Sequence, residues 1–222
     1  MAINCFLFDC DGTLVKDEFQ HLKAVDAVLM KHFNVHFKFD WHKYIVGTGS
    51  KHVIEFGLKR NGIEYNEELL ATLLEEKERM FLDIIKSEGI ELMPGAKEFL
   101  EESKERGIKL VVASGLYSYV LIELLKLANI HHFFDVIVGG ENKRRKPHPD
   151  IFIEALKLCN IKAENAMVFE DSIAGIEAAK SIGTKTAALL SNPEFRCSDF
   201  KSDFCFKDFY DALSKLNIIL NV

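Results

Sequence analysis

Five short apolar runs, separated by helical stretches, constrain this chain most. They are INCFLF (3–8), KLVVAS (109–114), FDVIVGG (134–140), NAMVFED (165–171) and TKTAALL (184–190). None alternates apolar with polar residues, so each predicts a strand buried on both faces, as in a parallel sheet. Helical patterns fill the gaps at 94–107, 118–130, 150–161 and 172–183. Pro94 opens the first and Gly107 closes it, Asp150 is placed to cap the third, and Gly183 ends the fourth. Strand–helix alternation at this spacing implies right-handed crossovers and a doubly wound, Rossmann-like α/β core.

Residues 16–87 break the rhythm. HLKAVDAVLMKHF (21–33), SKHVIEFGLKRNG (50–62) and NEELLATLLEEKERMFLDIIKSEG (66–89) carry helical spacing with no buried strand among them. The expected organisation is an α/β core of 1–15 and 88–222 with a helical cap domain, 16–87, inserted after the first strand. A chain of 222 residues is long enough for one core and a smaller lobe. Trp41, Phe33, Phe37 and Phe39 read as apolar core of that lobe.

Apolar residues make up 48% of the chain and the formal net charge is -6, which gives no basic excess for nucleic acid or an anionic membrane. The run Lys143–Lys146 is too local to change that, and Lys143, Arg144 and Arg145 read as solvated charge. Five cysteines, an odd number with no C-x-x-C pair, argue against a disulfide framework or a zinc site and for reduced, buried thiols in a cytoplasmic protein. The N-terminal apolar stretch meets two acids at once, so it reads as a strand and not as a signal peptide. No run approaches a membrane span. A monomer is the expectation.

Ligands of an open parallel sheet bind beyond the carboxyl ends of its strands. The first strand delivers Asp9 and Asp11 there, the second Ser114 and Gly115, the third leads to Lys146, and the fourth delivers Glu170 and Asp171. Taken singly, Asp9–Gly12 also reads as a turn, Ser114–Gly115 as another, and Glu170–Asp171 as helix capping. Together they carry chemistry. Asp9 and Asp171 suit a hard cation such as Mg2+, which prefers few carboxylates, waters and a phosphate oxygen. Lys146 and Ser114 offer a positive charge and a hydroxyl to phosphate oxygens, and glycines let backbone N–H groups approach. An ionised Asp9 can attack phosphorus as a carboxylate nucleophile, and of two like charges this close, Asp9 and Asp11, one member should hold its proton more readily and so serve as acid and then base. Cys10 between them should point away from both.

FDCDGTL, VVASG, KPHPD and VFEDS, in this order and spacing, resemble the four motifs of the haloacid dehalogenase superfamily, and the insert after the first resembles the cap of its subfamily I. The resemblance implies that Asp9 forms an aspartyl-phosphate, that Asp11 is the general acid and base and its carbonyl a Mg2+ ligand, and that Ser114, Gly115 and Lys146 bind the phosphoryl group. It implies Asp171 as a Mg2+ ligand, with Glu170 a ligand directly or through water. The dehalogenases of the superfamily lack the second acid, and the phosphonate-cleaving members carry a small residue there. Asp11 therefore points to a phosphatase acting on a small phosphorylated metabolite, a sugar phosphate or a phosphoglycolate-like compound. His21 stands where beta-phosphoglucomutase and related sugar phosphatases have a histidine, and Gly47–Lys51 resembles their substrate-facing cap loop, with Lys51 in the place of a common arginine. That leaves phosphoryl transfer within a sugar phosphate as an alternative, and a non-catalytic binding protein on the same fold as another. The cap is expected to close over substrate.

Overall fold

The computed structural model describes residues 2–38, 49–191 and 194–222. The chain divides into two compact units, Met1–Lys16 with Ile90–Val222, and Asp17–Gly89.

The larger unit is built on six strands. They are β1 (Cys5–Phe8), β4 (Lys109–Ala113), β5 (Val136–Val138), β6 (Ala166–Glu170), β7 (Lys185–Leu189) and β8 (Phe204–Phe206). All pair in parallel, in the order β5-β4-β1-β6-β7-β8. Five fall within the five apolar runs. The sixth, β8, was not expected: Phe204, Cys205 and Phe206 lie between Asp203 and Lys207 in a stretch too short to show a period. The remaining pair of strands, β2 (Val15–Lys16) and β3 (Glu91–Leu92), is antiparallel and ties together the two passages that flank residues 17–89.

Continuous apolar strands let both faces of the sheet be covered. Phe6 and Phe8 of β1 share one face with Phe169 of β6, Phe99 of α4 (Ala96–Glu105) and Phe209 of α9 (Phe209–Ser214). Cys5 and Leu7 point to the other face, as the strand period requires. There they pack with Val111, Val168 and Phe152 of α6 (Asp150–Cys159) and Ala178 of α7 (Ile173–Ser181). Two further helices, α5 (Ser118–Leu127) and α10 (Leu216–Ile219), and the single turn α8 (Cys197–Phe200) complete the unit. Asp150 does not cap α6 but is its first residue, because its carboxylate is taken by the Arg144 guanidinium at 2.8 and 2.9 Å. Lys143 is not simply solvated either; it pairs with Glu154 at 2.9 Å.

The described residues of 17–89 form α1 (Glu18–Phe33), α2 (Ser50–Arg60) and α3 (Glu67–Glu88). Leu22, Val25, Val28 and Leu29 of α1 meet Ile54 and Leu58 of α2 and Leu70 and Leu73 of α3, with Phe37 buried among them and Phe33 against them. Gly57 lets α2 approach closely, since a Cβ there would stand 2.8 Å from Leu29. The expected roles of Phe39, Trp41, Gly47 and Thr48 lie outside the described residues.

The five cysteines correct one expectation. Cys197 and Cys205, with Cα atoms 5.6 Å apart, form a disulfide, while Cys5, Cys10 and Cys159 are free and buried. Counting cysteines missed the bridge because the pair, at a sequence separation of 8, fits no motif spacing and joins a helix start to an edge strand.

Candidate active site

The strand order puts β1 at the centre, with β4 on one side and β6 on the other. From β1 the chain winds through β4 and β5 to one edge, then returns to β6 on the far side of β1, so the direction reverses there. Such a reversal leaves a crevice beyond the carboxyl ends of the strands. Register fixes what meets there. Phe8 pairs with Val112 and with Phe169, so Asp9 and Glu170 follow directly on adjacent strands, with Ser114 two residues beyond Val112.

Past β1 the chain turns tightly. The Cys10 carbonyl accepts from the N–H groups of Thr13, Leu14 and Val15, and the Gly12 N–H donates to the Val15 carbonyl at 2.9 Å. Gly12 has φ +72°, and a Cβ there would run into the Asp171 carboxylate. Glycine is thus required twice, for the backbone and for the space. Thr13 and Ser191 donate hydroxyl hydrogen bonds to the Asp171 carboxylate at 3.4 and 3.0 Å. Glu170 is held by Ser172, whose N–H and hydroxyl donate to Oε2 at 3.1 and 2.8 Å. Ser172 is also the N-cap of α7, accepting from the Gly175 N–H at 3.0 Å. Gly175 has no room for a side chain, because a Cβ would meet the Glu170 carboxyl group.

Lys146 joins the two strands. Its ammonium donates to Asp9 Oδ1 and to Glu170 Oε1, over the face of Phe152 at 5.0 Å. Burial works against the charge on Lys146, and the two carboxylates outweigh it, so its pKa lies above the usual lysine value. Burial raises the Asp9 carboxyl well above the carboxylate range; Lys146 pulls it down, while Glu170 and Asp11 push it further up. Asp171 is raised by burial and by the nearby Glu170 and Asp9.

Asp9, Glu170 and Asp171 bring carboxylate oxygens within 4.8 Å of one another. This cluster can hold a metal ion. All donors are hard oxygens, as a magnesium-class cation prefers. One ammonium faces three carboxylates, which leaves two negative charges there. A divalent cation fits that deficit. The side chain of Asp11, half-buried, does not belong to this oxygen cluster. Ser114 is buried and its oxygen accepts from the Leu116 N–H at 3.2 Å. The Gly115 carbonyl lies so near Gly140 that a Cβ on the latter would come within 2.5 Å of it.

The two sequence-derived cap residues differ in setting. Lys51 makes an exposed ion pair with Glu67 at 3.0 Å. His21 stacks flat on Phe81 at 3.9 Å, and its Nδ1 meets Lys77 Nζ at 2.6 Å. An ammonium only donates, so Nδ1 accepts and the ring proton sits on Nε2, 3.5 Å from the Asp17 carboxylate. Lys77 is fully buried and also reaches Ser50 at 2.9 Å and Glu78 at 3.2 Å. Sequence reading passed over Lys77 because it sits in the charged run EEKER, which looks like a solvated helix face. Thr13, Ser172 and Ser191 were missed because a lone hydroxyl at a strand end carries no pattern.

A parallel sheet whose central strand ends in a paired-acid turn, with a lysine and two more acids converging on it, defines a hydrolase class. A family model described as haloacid dehalogenase-like hydrolase matches residues 3–183, and the chain belongs to that family. Within it the chain is a phosphatase, a phosphoric monoester hydrolase. It is 32% identical over 179 residues to a phosphorylated carbohydrates phosphatase of Thermotoga maritima, covering 80% of each chain. It is 30% identical to a phosphoglycolate phosphatase of Aquifex aeolicus, covering 83% of each. The crystal structure of CbbY from Rhodobacter sphaeroides in complex with phosphate superposes with a TM-score of 0.85 at 25% identity, covering 99% of this chain and 100% of that one.

Proposed function

We propose that the protein is a Mg2+-dependent phosphatase that hydrolyses a small phosphorylated metabolite, a sugar phosphate or a phosphoglycolate-like compound, through an aspartyl-phosphate on Asp9. The observation that carries this reading is the joining of Asp9, Glu170 and Lys146 at the end of the central strand. The names of two relatives, a phosphorylated carbohydrates phosphatase and a phosphoglycolate phosphatase, support the substrate class. The acidic balance of the chain supports a small metabolite over nucleic acid as partner. No helix among the described residues is long and apolar enough to cross a membrane, and we take the enzyme to work as a cytoplasmic monomer.

In this mechanism the Asp9 carboxylate attacks phosphorus and the bond from phosphorus to the ester oxygen breaks. Asp11 protonates the departing oxygen. Lys146, the Ser114 hydroxyl and the backbone at Gly115 hold the phosphoryl oxygens as charge shifts onto them. Asp11, now ionised, takes a proton from water, whose oxygen attacks the phosphorus of the acyl phosphate, releasing phosphate and restoring Asp9. Asp9, Glu170, Asp171 and the Asp11 carbonyl would hold Mg2+, which when bound supplies the positive charge that the acids need to remain ionised beside a phosphate. His21 and Lys51, with Lys77 beside His21, are assigned to the leaving group.

The test is Asp9→Asn. Mg2+-dependent hydrolysis of an aryl phosphate should vanish while the circular dichroism spectrum and thermal midpoint stay near wild type. Retained hydrolysis would rule out Asp9 as nucleophile.

The partly buried His21–Lys77 contact favours one second reading, phosphoryl transfer within a sugar phosphate, because it gives the helical lobe a fixed cation and an imidazole. Interconversion of two glucose phosphates primed by a bisphosphate would support it, and free phosphate as sole product would exclude it.

A further inference from the structure

β4 and β5 lie side by side, and each runs out into a loop that the proposed site uses. Ser114 and Gly115 follow β4, and the chain from β5 to α6 carries Lys146. The ladder continues one step past β4, where the Ser114 N–H donates to the Val138 carbonyl at 3.1 Å. Beyond that step the two loops are pressed together. The Gly140 N–H donates to the Leu116 carbonyl at 2.7 Å. A Cβ on Gly139 would come within 2.4 Å of the Ser118 nitrogen, as one on Gly140 would meet the Gly115 carbonyl. With no room for side chains inside this seam, Glu141 reaches across from the residue after it. Its Oε1 accepts from the N–H of Ser118, the first residue of α5, at 2.9 Å. Burial works against the charge on Glu141, but the Ser118 hydroxyl and N–H, its own N–H and Lys143 outweigh that and bring its pKa below the ordinary 4.5. The far side of the same loop is pinned to α6, where Lys143 pairs with Glu154 and Arg144 with Asp150.

The seam leads directly to the Ser114 hydroxyl. Leu116, held by Gly140 through its carbonyl, donates its own N–H to Ser114 Oγ at 3.2 Å. That bond occupies a lone pair of the oxygen and leaves the hydroxyl proton for another acceptor. The two bonds across the seam, to Leu116 and to Ser118, stand on either side of Tyr117. Together they fix the orientation of the segment, whereas either alone would let it turn.

We infer that Glu141 is a positioning residue, which clamps the segment Leu116–Ser118 against the loop after β5 and so holds the Ser114 hydroxyl aimed at a phosphoryl oxygen. The inference rests on the reading of Ser114 as a phosphoryl-binding residue. Without the Glu141 carboxylate the Ser118 N–H loses this acceptor, and the Gly140–Leu116 bond becomes a pivot about which Leu116 and Ser114 Oγ shift. Small displacements of a binding group are costly, because its hydrogen bond to the reacting group depends on aim as well as distance. The clamp needs an acceptor at Oε1 and not a charge, so glutamine can replace glutamate there and alanine or leucine cannot.

The experiment is a double-mutant cycle between Glu141 and Ser114 in the full-length protein. It reads kcat and KM for an aryl phosphate and the inhibition constant of inorganic phosphate, with thermal midpoints alongside. Glu141→Ala should lower kcat/KM about tenfold and weaken inhibition by phosphate about as much. Glu141→Leu keeps the bulk without the acceptor and should match it, and it takes the place of Glu141→Ala in the cycle if the alanine variant does not fold. Glu141→Gln should stay within about twofold of wild type. In a Ser114→Ala background Glu141→Ala should cost little more, since the hydroxyl it positions is gone. The same tenfold loss in that background overturns the inference and leaves the phosphoryl-binding role of Ser114 standing. A lowered thermal midpoint with unchanged kinetics, or Glu141→Gln as impaired as Glu141→Ala, also overturns it. Wild-type kcat/KM and phosphate inhibition in Ser114→Ala alone overturn both.

Discussion

Phe8 and Phe169 stack ring on ring, 5.1 Å between centroids and 17° between planes, and the next residue of each strand is an acid, Asp9 and Glu170. The aromatic pair packs directly before the strand ends that carry the carboxylates, in register across the β1–β6 ladder. Replacing Phe169 by Ala should cost about 3–5 kcal/mol in urea denaturation, the usual cost for a buried aromatic. Phe169→Leu should cost far less stability yet still lower kcat, because the acid that follows is displaced.

Gly12→Ala should cost more than backbone strain. A side chain at φ +72° is strained by about 1–2 kcal/mol, and here its Cβ also enters the space of the Asp171 carboxylate. Gly62 supplies the control, with φ +67° and open space around it. Gly62→Ala should lower the thermal midpoint slightly and leave Mg2+-dependent hydrolysis intact. Gly12→Ala should abolish hydrolysis and the Mg2+-induced rise in midpoint.

Asp203 stitches β7 to the connection before β8 by accepting from the Thr186 N–H and hydroxyl, each at 2.9 Å. Burial pushes its pKa up, but the Thr186 hydrogen bonds and Lys185 outweigh that and bring it below the ordinary 3.8. A depressed carboxyl pKa contributes stability that is fully present above the unfolded value and is lost as pH falls through the folded one. Asp203→Asn should therefore destabilise by about 1 kcal/mol near neutral pH, discounted for its partial exposure, and the gap to wild type should close below pH 3.8. Urea midpoints at several pH values check it.

Lys77→Met would leave the Glu78 carboxylate buried without its cation. The expected loss is about 3 kcal/mol, read in urea. The double variant Lys77→Met/Glu78→Gln should recover much of it, since no uncompensated charge remains. If Lys77 serves the leaving group, the single variant should also raise KM for a sugar phosphate while kcat for an aryl phosphate changes little.

The strands and the acids at their ends were legible because a buried parallel strand leaves a long apolar run, and a charge closing such a run is conspicuous. β8 left no run, since an edge strand of three residues buries too little to write one. The disulfide left no spacing signature, and it depends on an edge strand the sequence did not reveal. Lys77 was hidden for a different reason: besides the adjacent Glu78, its ammonium is met by His21 and Ser50 from distant parts of the chain, and these partners leave no mark on the charged run around it. Ser191 and Thr13 matter only through Asp171, a relationship that exists in space and not in any stretch of residues.

The position of β1 at the middle of the sheet has a consequence for synthesis. Asp9 leaves the ribosome 137 residues ahead of Lys146, the lysine that pairs with it, and the acids of β6 come later still. An emerging chain therefore carries the Asp9 carboxylate before the lysine that pairs with it has been made. On the proposed role of Asp9, a fragment that stops short of β6 lacks Glu170 and Asp171, so topology alone leaves it without a complete site.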